Sequence, residues 1–338
     1  MKKNTKYTLI FTLLFIGTYL TFSIFFQENY ISKSEVNIES DYTIDQVIKE
    51  LNASGDLKNE WAFRLLSKIK KYENNIKSGS FYLEGEYRLN DLINIIRIGN
   101  RKVIDLQIPE NIRLIEDMIV LLEDSVGYER GELKNYLDTS DFLQKNNLTM
   151  ETLPAFFIPN TYQIYEGLSV ESFLYKMKKE YQIFWNTNRL SLCDSLGITQ
   201  TEVSIIASIV EEEQDKRLDE RSKIAGLYLN RLRNPISFPY LQADPTVKFA
   251  NKNFGIKQVL NKHLKIDNPY NTYKYKGLPP GPICIPSIQA IDAVLNYEKH
   301  DYYFMCAGSN GDGYHKFTST NKEHNKNKKK FKKFEGFK

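Results

Sequence analysis

The most extreme feature of the hydrophobic pattern lies at the start of the chain. Tyr7 to Phe26 reads YTLIFTLLFIGTYLTFSIFF, twenty positions without a charge. As a helix rising ~1.5 Å per residue it covers about 30 Å, the hydrocarbon thickness of a bilayer. Lys2, Lys3 and Lys6 precede it, so the positive-inside bias keeps residues 1–6 in the cytoplasm and carries the rest across. A cleaved secretory signal is the alternative, but the run ends TFSIFF, with no Ala-x-Ala site. The expectation is a single-pass anchor at 7–26 in the cytoplasmic membrane. The remainder is then periplasmic or extracellular, depending on whether an outer membrane lies beyond.

Beyond the anchor the pattern is mixed, and the fold class it predicts is α+β. Residues 27–39 are polar and read as a spacer. Ile44, Val47, Ile48 and Leu51 form a helical stripe, which Trp61, Leu65, Leu66 and Ile69 repeat. Gly79–Leu83 reads as a strand after a turn, and Leu92, Ile93 and Ile96 as a helix stopped by Gly99-Asn100. With the alternating Val103–Ile108, residues 40–104 make a small α+β module. Residues 105–325 make a second, larger mixed domain. In it Ile112–Leu143 reads as a charged helix, Phe156–Tyr162 as an aromatic-rich turn and Val170–Trp185 as a helix. Residues 326–338 are rich in Lys with interleaved Phe. They read as a solvated, partly disordered end, with contact to an acidic polymer or anionic lipid as the alternative.

One helix is apolar around most of its circumference and is expected to be buried. Thr199-Gln200-Thr201-Glu202 fits a capping box, and VSIIASIV follows as Val203–Val210. It ends in Glu211-Glu212-Glu213. At 100° per residue Glu212 points away from the main stripe, toward solvent, while Glu211 and Glu213 flank that stripe. A carboxyl at the edge of an apolar face is partly desolvated, which raises its pKa and lets it hold a proton near neutrality as a general acid. A plainly solvated acidic helix end is the bland alternative, and spacing does not separate Glu211 from Glu213.

Composition adds exclusions. The 338 residues carry 46 Lys+Arg against 42 Asp+Glu, a net +4 too mild to argue for a nucleic-acid partner. With 41% hydrophobic residues the chain is not a disordered one. Cys193, Cys284 and Cys306 have no metal-ligand spacing, nor do His263, His300, His315 and His324. Neither a metal site nor an organic cofactor is expected.

Several motifs in order resemble one family. Ser208-Ile209-Val210-Glu211-Glu212-Glu213 is similar to the Ser-Ile-Val-Glu-Lys-Glu of the endolytic murein transglycosylases, the YceG-like family, with Glu212 in place of Lys. Asn230-Arg231-Leu232 follows, then Leu241-Gln242-Ala243-Asp244-Pro245-Thr246-Val247, with Ala243 where Ser is usual. Tyr270-Asn271-Thr272-Tyr273, Gly277-Leu278-Pro279-Pro280-Gly281-Pro282, His315-Lys316-Phe317 and Glu323-His324-Asn325 come next. Pro286 matches, but Ser287 stands where the family has Gly. Pro159-Asn160-Thr161-Tyr162 resembles an upstream signature. The resemblance covers roughly residues 40–325 and implies that 40–104 is LysM-like and that the buried helix carries the chemistry.

The resemblance also implies a reaction: non-hydrolytic cleavage of the MurNAc-β-1,4-GlcNAc bond within peptidoglycan, terminating glycan strands in 1,6-anhydromuramoyl ends. By alignment Glu211 is the acid and then the base. Gln242, Asp244, Thr246, Tyr270, Asn271, Tyr273 and His315 are the implied sugar-binding set, each with a turn-stabilising role as its alternative. Wall-synthesis complexes are partners the family leads one to expect. Two other readings stand beside this one. A lysozyme-type hydrolase would use Glu211 with Asp244 and leave reducing muramic ends. A non-catalytic wall-binding scaffold would bind glycan without cutting it.

Overall fold

A computed structural model describes residues 28–39, 41–98, 103–165 and 168–336, with scattered positions between 11 and 24. The described positions of the expected anchor are helical, and the rest of 7–26 lies outside the described residues. Among the described residues no helix is long and apolar enough to cross a membrane.

The chain divides into two compact units. The first comprises Met1–Leu106, Val126–Tyr128 and Gln163–Ser169. Its centre is a three-stranded sheet in the order β2-β1-β3, with β1 (Glu28–Ile38) antiparallel to both β2 (Gly55–Leu57) and β3 (Gly79–Arg88). The polar segment expected as a spacer is therefore largely strand. Tyr30, Val36 and Ile38 share its even-numbered face and are buried, a period-2 signal diluted by the polar residues between them. Helices α1 (Ile44–Ser54), α2 (Glu60–Ile69) and α3 (Leu89–Ile98) complete this core with Val47, Leu51, Phe63, Leu66, Leu92, Ile93 and Ile96. Helix α2 turns Ala62, Phe63 and Leu66 inward, leaving Trp61 and Ile69 of the expected stripe exposed. Thr43 and Gln46 close a capping box on α1.

β4 (Val103–Ile108) pairs with β5 (Asn160–Tyr165), which begins inside the segment 156–162 read as an aromatic turn and runs past it. The second unit comprises Gln107–Ser125, Glu129–Tyr162 and Val170–Lys338. The long helix expected over 112–143 is broken into α4 (Ile115–Val126), α5 (Glu132–Thr139) and a short turn at Phe142–Lys145. Gly127 and Gly131 take φ of 89° and 87°, which no helix accommodates. The buried Glu123 carboxylate accepts the N–H groups of Gly131 and Leu133 at 3.0 and 3.1 Å, capping α5.

The expected buried helix is α8 (Gln200–Glu213), following α6 (Val170–Phe184) and α7 (Thr187–Leu196). Val203 through Glu211 are all buried, and Thr199 with Glu202 forms the capping box. Around α8 pack α9 (Arg221–Arg233) and α11 (Ile288–Leu295), with α10 (Asp244–Ala250) nearby. The Ser208 hydroxyl donates to the Ile205 carbonyl at 2.7 Å and accepts the Ile283 N–H at 3.0 Å, tying α8 to the Pro-rich segment. β6 (Phe304–Ala307) and β7 (His315–Thr318) form an antiparallel ribbon, with Ala307 opposite His315. The Lys-rich end is not a loose tail. It belongs to α12 (Asn321–Glu335), capped by Thr320 and docked on the ribbon through the Phe304–His324 stack at 5.4 Å. Cys193 and Cys284 are buried thiols, as expected, and Cys306 is half-buried.

Gly226 in α9 marks a close approach. A Cβ there would stand 2.4 Å from the Glu298 carbonyl oxygen and 2.8 Å from His300 Nε2. At an open helical site Gly→Ala adds up to about 1 kcal/mol of stability. Here the sign reverses: Gly226→Ala is expected to cost about 1–3 kcal/mol through overpacking, measured by urea unfolding of the purified chain.

Candidate active site

Two residues along a helix turn the direction of a side chain by ~200°. Glu211 and Glu213 therefore leave α8 on opposite sides and open on different cavities. Glu211 borders a cavity of about 780 Å³ with Glu110, Arg113, Glu212, Arg221 and Gln289. Its side chain is 3% exposed, and both oxygens are engaged. Oε2 accepts the Ser287 N–H at 2.6 Å, and Oε1 accepts Arg221 Nη2 at 3.3 Å. Arg221 is itself buried and donates to the Ser287 hydroxyl at 3.1 Å and to the Gln214 carbonyl at 3.0 Å. Ser287 in turn caps α11 by accepting the Ala290 N–H. Ser287 is thus part of a tie joining α8, α9 and α11. Burial raises the Glu211 pKa, against the Ser287 hydrogen bonds and the Arg221 charge, while Glu110 adds to the rise.

Glu212 is half-buried and paired, where open solvent was expected. Arg113 grips it with two parallel bonds, Nε to Oε1 at 2.8 Å and Nη2 to Oε2 at 3.1 Å, and lies 5.0 Å over the Phe254 ring. The helical wheel showed only that Glu212 leaves the apolar stripe. The chain segment that meets it comes from 99 residues earlier.

Glu213 borders a second cavity of about 480 Å³. The Tyr228 hydroxyl of α9 donates to its Oε1 at 2.6 Å. Among the described residues no donor reaches Oε2. Burial raises the Glu213 pKa. The Tyr228 bond opposes this, Asp244 adds to it, and His315 and Arg231 oppose it by their charge. Tyr228 is pushed well above its ordinary range, first by burial and then by Glu213, so it stays a neutral donor.

Four of the seven sugar-binding candidates line this same cavity: Gln242, Asp244, Tyr273 and His315. The Tyr273 hydroxyl donates to Asp244 Oδ1 at 2.6 Å. Gln242 sits at φ 52°, a left-handed conformation uncommon outside glycine, and its N–H is held by the Thr272 carbonyl at 3.1 Å. The other three lie elsewhere. Thr246 is fully buried, with its hydroxyl committed to the Ala243 carbonyl and to Thr272. Asn271 is fully buried, its amide spent on the Leu264 and Ile266 carbonyls at 2.9 and 3.0 Å. Tyr270 packs on Phe249 at 4.5 Å and borders a separate pocket of about 180 Å³. Thr246 and Asn271 hold turns, the alternative role open to each, while Tyr270 packs outside this cavity.

His315 reaches the cavity from β7 with its ring fixed. Glu220 Oε2 holds Nδ1 at 2.7 Å, and Glu220 Oε1 accepts the His315 N–H at 2.8 Å. Gln214 Nε2 donates to the same Glu220 carboxylate at 2.7 Å. Burial would lower the His315 pKa, but the Glu220 bond and charge prevail and raise it. Glu220 falls below its ordinary value: burial pushes up, and its bonds to His315 and Gln214 outweigh that. Tyr228, Arg231 and Glu220 were not recognised as site residues from the sequence. Arg231 stood inside a motif, but its bonds to the Tyr303 and Leu241 carbonyls are visible only in the fold.

Fold and site together define a mixed α+β unit with an acidic cleft beside a buried helix. The chain belongs to the YceG-like family, which it matches over residues 36–330. It is 28% identical over 312 residues to the endolytic murein transglycosylase of Bacillus subtilis (strain 168), covering 88% of this chain and 84% of that one. It is 27% identical over 331 residues to the endolytic murein transglycosylase of Streptococcus pneumoniae (strain ATCC BAA-255 / R6). That match covers 86% of this chain and 57% of the pneumococcal one. A crystal structure of a yceG-like protein from Listeria monocytogenes superposes with a TM-score of 0.53 at 25% identity, over 88% of this chain and 98% of that one.

The Glu220–His315 pair makes stability depend on pH. Glu220, depressed below 4.5, contributes above its ordinary pKa, and that contribution is lost as pH falls through its folded value. His315, raised above 6.5, contributes below its ordinary pKa, and that is lost as pH rises through its folded value. The stability difference between the native chain and His315→Gln is therefore expected to be greatest between these ordinary values. Urea unfolding should show it clear at about pH 5.5 and much reduced at about pH 9.

Proposed function

We propose that the chain is a membrane-anchored peptidoglycan lytic transglycosylase whose acid and base is Glu213, in place of the Glu211 that alignment suggests. The carrying observation is that Glu213, which lines the cavity that gathers Gln242, Asp244, Tyr273 and His315, has a carboxyl oxygen that no donor reaches among the described residues. Glu211 has both oxygens committed within the fold. The raised pKa does not separate the two, since burial lifts both. The open oxygen favours Glu213. The names of the relatives, endolytic murein transglycosylase, support the reaction class.

In this reading protonated Glu213 gives its proton to the O4 leaving oxygen of the N-acetylglucosamine as the C1–O4 bond breaks. The substrate's 2-acetamido group stabilises the positive charge at C1. Ionised Glu213 then takes the proton of the muramoyl C6 hydroxyl, whose oxygen bonds to C1 and closes the 1,6-anhydro ring. The group ends the cycle protonated, as it began, and no cofactor enters. Tyr228 donates to the carboxylate between the two steps. Anchorage through residues 7–26, a LysM-like character for 40–104, an extracytoplasmic catalytic domain and association with wall-synthesis complexes belong to the same proposal.

Asp244 in the Glu213 cavity favours one second reading. A hydrolase would pair Glu213 as acid with Asp244 as the second carboxylate, as most glycosidases do. Mass spectrometry of digested sacculi separates them: anhydro ends support the transglycosylase, and reducing muramic ends the hydrolase. The same assay tests the assignment within α8. Glu213→Gln is expected to lower product formation by about 10²–10⁴-fold with the fold intact. Glu211→Gln leaves Arg221 buried without its counter-charge and is expected to cost on the order of 3 kcal/mol of stability, while the folded fraction still makes the same product ends. The opposite result returns the acid role to Glu211.

A further inference from the structure

The cavity at Glu213 has one wall that the reaction does not use. Helix α12 carries seven lysines against two glutamates, and two of them, Lys328 and Lys332, line that cavity together with Phe331. They are four residues apart and so share one face of the helix. Among the described residues neither is paired with a carboxylate. The N-acetylated glycan backbone of peptidoglycan is uncharged and gives an ammonium group no counter-ion. The anionic groups nearest a scissile muramoyl bond are the carboxylates of the short peptide stem, which hangs from the lactyl ether of that same muramic residue.

We propose that Lys328 and Lys332 bind stem carboxylates, making Glu213 act preferentially on strands that still carry their peptides. The proposal rests on reading the Glu213 cavity as the glycan site. Charge complementarity and the shared cavity favour this occupant over a lipid surface or a free acidic polymer, neither of which needs to enter a cleft. The stem would lie along α12 with its carboxylates against the two ammonium groups and its aliphatic part against Phe331. Charge-assisted contacts of this kind weaken with salt.

The test uses the full chain in detergent with Glu213→Gln in the background, so that binding is measured without cleavage. The probes are a soluble disaccharide-peptide and the same disaccharide without its stem, titrated by fluorescence anisotropy. The expected result is binding of the stem-bearing probe at least about tenfold tighter, with K328E/K332E abolishing the difference and K329E/K330E, an equal charge change on the same helix outside the cavity, preserving it. Equal binding of the two probes overturns the proposal. So does an equal effect of the two double variants, or a K328E/K332E loss shared by both probes. Failure of the unmodified chain to release glycan ends from sacculi sinks the functional reading instead, and the binding comparison still decides this one.

Discussion

The buried tie among Glu211, Arg221 and Ser287 is the constraint on which the rest of the second unit depends. It joins three helices at one point, because a carboxylate, a guanidinium and a helix-capping serine satisfy one another away from solvent. Breaking any member leaves a charge or a polar group buried without a partner, which costs far more than the net value of the intact bonds. With Glu211 held there, the rotation of α8 is set. The residue ~200° further round then points into the other cavity. The position of Glu213 is a consequence of where Glu211 is locked.

The Glu213 cavity is built the other way, from groups restrained on one side and open on the other. Tyr228 holds a single oxygen of Glu213, Tyr273 a single oxygen of Asp244, and Glu220 a single nitrogen of His315. Each side chain is oriented by a partner and keeps an atom toward the cavity. This is the arrangement expected of groups that must be placed before a substrate arrives, and it contrasts with the saturated Thr246 and Asn271 nearby. The strained backbone of Gln242, on the motif between α9 and α10, fits the same logic: the surrounding bonds to Thr272 impose a conformation that the residue would not choose alone.

Much of this was legible before the fold. The α8 capping box and its apolar circumference were plain in the order of residues, because local hydrogen bonding and periodicity need no distant partner. The α1 and α3 stripes were legible for the same reason, but the α2 stripe was misplaced by the large apolar side chains of Trp61 and Ile69, which are exposed while Ala62, Phe63 and Leu66 face the core. Elsewhere local pattern misled. The first strand was hidden because only every second residue of a half-polar strand needs to be apolar. The break between α4 and α5 depended on Glu123 reaching forward to cap the next helix. The lysines of α12 read as a solvated end because nothing in their spacing shows that Phe304 stacks on His324 and docks the helix.

The order of residues alone determined that a buried helix ends in three carboxylates and that a polar, aromatic set follows at motif spacing, since both are properties of the chain itself. Which carboxylate is bonded at both oxygens and which at one was decided only by the tertiary fold. Arg221, Ser287 and Tyr228 lie ten, 76 and fifteen residues from the glutamates they engage. A hydrogen bond depends on distance in space, and separation along the chain carries no record of it.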